Sequence, residues 1–191
     1  MAGETGAAAS KGRLFIVATP VGNLEDVTLR ALRILGEVEA VACEDTRQTL
    51  KLLNKYQLRK RLISYYHPHE GRKIPEIIGL LMSGRDVALV SDAGTPGISD
   101  PGFPLIREAL KEGIQVVPVP GPSAVAAALS ASGLPTHRFL FAGFPHQRRE
   151  GSASCSNLST RKRPLSFFIS PRGGSSNFLR PLWRLWETGG L

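Results

Sequence analysis

The stretch Ser91 to Gly102, S-D-A-G-T-P-G-I-S-D-P-G, sets two carboxylates, Asp92 and Asp100, among three glycines and two prolines. A carboxylate accepts hydrogen bonds from hydroxyls and balances a cation, while glycine lets backbone N-H groups come close to a ligand. Glu44-Asp45-Thr46-Arg47 packs two further acids and a guanidinium into four residues. These groups also have ordinary structural uses. Asp100 before Pro101 makes a turn or helix cap, and E-D-T-R makes a capped helix start with a surface ion pair. Both uses stand beside the functional ones.

The elements that must position these groups are legible as short alternating runs. Apolar strands are expected at Leu14 to Ala18, Ala40 to Cys43, Leu62 to Tyr65, Asp86 to Val90, Ile114 to Val119 and Phe139 to Ala142. Helices are expected at Thr28 to Leu35, stopped by Gly36, at Gln48 to Tyr56, from Pro75 to Gly84 after a polar loop over residues 67–72, at Phe103 to Lys111, and at Ala124 to Ala131. Strands alternating with helices at this spacing predict an α/β fold, a mainly parallel sheet with helices on both faces. In such a sheet the loops Thr19 to Asn23, Ser91 to Gly102 and Pro120 to Ala124 follow strands at one edge and can converge on one cleft. Singly, each is an ordinary Gly/Pro turn signal.

None of the three loops is a G-x-G-x-x-G dinucleotide fingerprint or a G-x-x-x-x-G-K-[ST] phosphate cradle, and none contains a lysine. A phosphate-rich cofactor is thus disfavoured. The carboxylates suit a cofactor with hydroxyls and a positive charge. Cys43 and Cys155 lack metal-ligand spacing, fit a reducing compartment, and Cys43 reads as a small buried hydrophobe.

The segments V-A-T-P-V-G-N-L-E-D-V-T-L-R-A-L, E-D-T-R, S-D-A-G-T-P-G-I-S-D-P-G, P-G-P-S-A and S-A-S-G-L-P occur in one uninterrupted order between Gly12 and Phe144. Together they resemble the tetrapyrrole methylase superfamily, and within it the bacterial enzymes that methylate the ribose 2'-hydroxyl of a cytidine in 16S ribosomal RNA. The resemblance implies S-adenosyl-L-methionine (SAM) as cofactor, folded between two α/β domains, with Val21, Asp92, Thr95, Ser123 and Ala124 near it. It also implies 16S rRNA within the 30S subunit as partner, a homodimer in the full-length family, a cytoplasmic location, no membrane and no metal. The family's usual first loop is glycine-rich, and Pro20-Val21 here resembles its ribosomal RNA branch rather than a tetrapyrrole or diphthine-type methylase.

Methyl transfer to a ribose hydroxyl needs the acceptor oxygen held in line, and a base or positive charge helps a poor nucleophile. The catalytic candidates facing the expected cleft are Glu44, Asp45, Arg47 and Asp100. His67 and His69 read as loop surface, and Arg72 and Lys73 as contacts for RNA phosphate. A catalytically silent SAM-binding or interaction module is the alternative from outside enzymes.

The formal net charge is +8, but from His146 onward eight Lys/Arg face two acids, so six of those eight charges belong to that segment. The expected organisation is a leader over residues 1–11, an N-terminal α/β domain over 12–119, the start of a second α/β domain over 120–150, and an aberrant basic tail over 151–191. We read that Ser/Arg/Gly-rich tail as translated out of frame. Back-translated from the third base of the Trp183 codon, the run Trp183 to Gly189 permits an L-G-D-R sequence similar to one the family carries. A genuine basic tail that binds RNA is the other reading.

Overall fold

The computed structural model describes residues 10–67, 70–139 and 141. The strands are β1 (Arg13–Val17), β2 (Ala40–Cys43), β3 (Arg61–Ser64), β4 (Val87–Val90) and β5 (Gln115–Val119). The helices are α1 (Leu29–Glu37), α2 (Thr46–Lys55), α3 (Glu70–Met82), α4 (Phe103–Lys111) and α5 (Ala124–Ser130), with a 3-10 turn at Leu24–Asp26. The five strands form one sheet in the order β3, β2, β4, β1, β5, and every pairing in it is parallel. Phe15 is in register with Ala88 on one side and with Val117 on the other.

Side chains alternate across this sheet and build two cores. Leu14, Ile16, Ala40, Ala42, Val87 and Leu89 face Ile77 and Leu81 of α3 and Leu105 and Ala109 of α4. Phe15, Val17, Val41, Cys43, Ala88 and Val90 face Ala31, Ile34 and Leu35 of α1 and Leu52 and Leu53 of α2. The central strands β2 and β4 are buried on both faces, which is why they read as continuous apolar runs. Each fully buried Leu or Val there contributes about 1.5–3 kcal/mol of transfer free energy. β5 is more exposed and carries Pro118; among the described residues it pairs only with β1, the edge position that a strand proline tolerates.

Three expectations from the sequence are corrected. Gly36 does not stop α1, which runs on to Glu37, because the Val38 amide still bonds the Ile34 carbonyl (3.0 Å) while Val38 itself is buried. Pro75 lies inside α3 rather than at its start, and Glu70, Gly71 and Arg72 are helical instead of loop. Ile74 belongs to the same stripe as Ile77, Ile78 and Leu81 and packs on the core beneath it, so burial extends the helix in front of the proline. Finally α2 starts at Thr46, since the Asp45 carboxylate caps it by accepting from the Arg47 amide (2.8 Å).

The chain divides into two compact units, 1–124 and 125–191. The first holds the whole sheet. In the second the described residues complete α5, where Leu129 is buried. His69, Cys155, Leu140 and Ala142 of the strand expected at Phe139 to Ala142, and the segment from Gly151 onward lie outside the described residues.

Candidate functional site

Because all strands run the same way, the loops after β1, β2, β4 and β5 leave one edge of the sheet. The chain after β1 and β2 goes to helices on one face, and after β4 to a helix on the other. At this divergence a parallel sheet opens a crevice.

The loops after β1 and β4 are bonded to each other. Thr19 N donates to Gly94 O at 2.8 Å and Gly94 N returns a bond to Thr19 O at 3.0 Å, a short antiparallel bridge between two otherwise parallel strands. Thr19 Oγ1 donates to Ser91 O at 2.9 Å, and both residues are almost completely buried. Gly94 takes the left-handed conformation (φ 86°), and its α-carbon lies so near Val21 that an added Cβ would sit 3.7 Å from Val21 Cγ2. Val21 therefore meets the loop that carries Asp92 and Thr95.

The loop after β5 approaches from the other side. A Cβ on Gly121 would lie 3.1 Å from Ala18 Cβ, so the two backbones are nearly in contact, and Ser123 and Ala124 follow at once. The loop after β2 is tied in by the Asp45 amide, which donates to Asp92 Oδ1 at 3.1 Å. The sequence candidates Val21, Asp45 and Asp92 are thus linked through hydrogen bonds and contacts at one edge, with Thr95 on the same loop as Asp92; Ser123 lies on the adjoining loop and Ala124 is the first residue of α5.

The charges there are unequal. Burial pushes the Asp92 carboxyl up from its ordinary range, against the Asp45 N-H, with the Asp45 charge pushing the same way as burial. Burial likewise raises Asp100, against a hydrogen bond from the Ser91 hydroxyl, and the Asp92 charge adds to the rise. Asp45 moves in the opposite direction, held down by hydrogen bonds from the Arg47 side chain and amide. That Arg47 guanidinium is largely in solvent and pairs with Asp45 at 3.0 Å, so the capped helix start and the surface ion pair are both present. Glu44 is half-buried at the end of β2. Ser99, just before Asp100, is held left-handed (φ 60°), which costs about 1 kcal/mol for a residue with a Cβ.

Residues 13–182 match the model of the family Tetrapyrrole (Corrin/Porphyrin) Methylases. The chain belongs to the tetrapyrrole methylase family. Among curated proteins it is 48% identical over 160 residues to "Ribosomal RNA small subunit methyltransferase I" of Thermotoga maritima, covering 84% of this chain and 72% of that one. It is 49% identical over 162 residues to the protein of the same name from Halalkalibacterium halodurans, covering 84% of this chain and 56% of that one. The chain thus spans just over half the length of the latter. A solved structure of a conserved hypothetical protein from Aeropyrum pernix K1 superposes with a TM-score of 0.54 at 23% identity, over 68% of this chain and 45% of that one, which shows the fold alone. The resemblance read from the motifs, to the superfamily and to its ribosomal RNA branch, is borne out, and so is the α/β fold.

Several residues of this tetrapyrrole methylase escaped the sequence reading. Thr19 and Ser91 use their hydroxyls to lock the two loops. From α2, Gln48, Thr49 and Lys51 turn toward the loops after β1 and β4 and line a cleft of about 250 Å3 with Thr19, Pro20, Leu24 and Asp92. Their signal was available in the helical spacing: Gln48, Lys51 and Leu52 repeat at three and four residues along one face of α2. No cluster of three or more metal-ligating side chains occurs among the described residues.

Proposed function

We propose that this chain carries a SAM-dependent methyltransferase activity directed at the ribose 2'-hydroxyl of a cytidine in 16S ribosomal RNA. The observation that carries the reading is the Thr19 to Gly94 bridge with Asp92 beside it, in a chain 48–49% identical to relatives named for ribosomal RNA methylation. The 30S subunit is the partner on this reading, a homodimer in the cytoplasm the working form.

The residues present fit SAM. Asp92 offers carboxylate oxygens to ribose hydroxyls and a negative charge to a sulfonium. Gly121, where a Cβ would crowd Ala18, keeps a backbone wall free of side chains. The loops contain no lysine, in keeping with a cofactor that has no phosphate. When bound, SAM supplies an electrophilic methyl group. Val21, Thr95, Ser123 and Ala124 would hold it at the sheet edge.

The rest of the chemistry falls to the acceptor side. Asp100, whose proton affinity burial raises, is the candidate general base for the proton of the attacking hydroxyl. Glu44 and Asp45 keep the edge after β2 acidic, and Arg47 supplies the nearby positive charge. Asp92 orients by accepting hydrogen bonds, and its charge strengthens Asp100 as a base.

Calorimetric titration with SAM and with S-adenosylhomocysteine tests the reading. One saturable site for each supports it; heats no larger than dilution sink it. A second reading, a SAM-binding module without catalysis, predicts binding with no methyl transfer.

A further inference from the structure

Lys51 stands apart from the other described lysines. Lys55, Lys73 and Lys111 pair with carboxylates, and Lys11 and Lys60 donate to the backbone carbonyls of Glu112 and Val38. The Lys51 ammonium bonds only the amide oxygen of Gln48 (3.0 Å), and no carboxylate pairs with it among the described residues. It lines the cleft between the loop after β1, helix α2 and the loop after β4.

The lining of that cleft is chemically mixed. Lys51 and Gln48 form a cationic, hydrogen-bonding side. Pro20, Leu24 and Leu52 provide apolar surface. Asp92 adds a group that accepts hydrogen bonds. A ligand that satisfies all three carries an anion, a flat or apolar part, and hydroxyl donors. At about 250 Å3 the cleft is smaller than the roughly 300–1,000 Å3 typical of whole small-molecule sites, so it takes one unit of a larger ligand and leaves the rest outside.

We propose that this cleft seats the acceptor nucleotide, with Lys51 holding a phosphate next to the reacting ribose and Asp92 facing the sugar hydroxyls. The proposal rests on the RNA reading given above and adds the place and polarity of the acceptor. Lys51 is a positioning residue: it fixes the backbone of the RNA so that the hydroxyl meets the cofactor at Asp92, and it does not touch the reacting atoms.

The test uses the full chain, a cytidine-containing RNA oligonucleotide, and the variants Lys51→Gln and Lys51→Arg. Lys51 is exposed on α2 and Gln is an equally good helix former, so both variants fold. Lys51→Gln is expected to weaken RNA binding about tenfold. It is also expected to lower the slope of log affinity against log salt by about 1, as loss of one phosphate contact requires. SAM affinity stays at the wild-type value, KM for RNA rises more than kcat falls, and Lys51→Arg restores the salt slope. An unchanged slope with Lys51→Gln overturns the proposal, as does an equal loss of SAM affinity or a wild-type chain that does not bind the RNA. If RNA binding depends on Lys51 while no methyl group is transferred, the acceptor cleft stands and the catalytic reading falls.

Discussion

The amide of Asp45 donates to the carboxylate of Asp92 at 3.1 Å, and this bond carries the pairing of β2 with β4 past its last register pair, Cys43 and Val90, into the loops that follow. Asparagine at position 92 keeps an oxygen to accept it but loses the charge. Asp92→Asn is therefore expected to leave the urea midpoint close to wild type while weakening SAM binding about tenfold to a hundredfold, the worth of a hydrogen bond to a charged group. Calorimetry on the variant checks this, and equal SAM affinity in both proteins would remove Asp92 from the cofactor site.

Thr19 Oγ1 is a buried donor whose loss cannot be made good by water. Thr19→Val keeps the shape and removes the hydroxyl, so the Ser91 carbonyl loses a partner. Destabilisation of about 1–2 kcal/mol is expected in chemical denaturation. A variant as stable as wild type would show that the backbone bridge alone holds the loops.

Two glycines give opposite outcomes. Gly102 begins α4 with φ 145°, and a Cβ there would lie 2.9 Å from the buried Leu89 side chain. Gly102→Ala is expected to cost about 2 kcal/mol or more. Gly79, inside α3, has nothing within 4 Å of its added Cβ. There Ala is expected to stabilise by about 0.5–1 kcal/mol. Thermal unfolding of both variants is the check.

Asp100 gives a pH signature. Its carboxyl is raised in the folded state by burial, so the folded protein binds that proton more tightly than the unfolded chain. The stabilising proton is in place below the ordinary carboxylate range and is lost as pH rises through the raised value. Asp100→Asn is thus expected to raise the melting temperature at pH 7, with the gain shrinking as pH falls through the carboxylate range. Scans at several pH values would show this, and a gain that grows in acid would refute it.

The buried strands of this tetrapyrrole methylase were legible because a parallel sheet covered on both faces needs continuous apolar runs, and Val41, Ala88 and Leu89 leave no other reading. Helix limits were less so. Gly36 and Pro75 are local punctuation marks, but packing of Val38 and Ile74 against the two cores outweighs them. The three converging loops could be inferred from strand direction. What could not be inferred was their stitching: whether the Thr19 hydroxyl meets the Ser91 carbonyl depends on a bridge between residues 75 positions apart, Thr19 and Gly94. Lys51 was not legible for a related reason: it lies on α2, and its approach to the loops after β1 and β4 is set by packing rather than by its place in the sequence.

The most direct measurement incubates the full chain with methyl-labelled SAM and 30S subunits that lack the modification, then digests the RNA and separates the nucleosides. Label in 2'-O-methylcytidine is expected. Label on a base, or none at any protein concentration, would contradict ribose methylation by this chain.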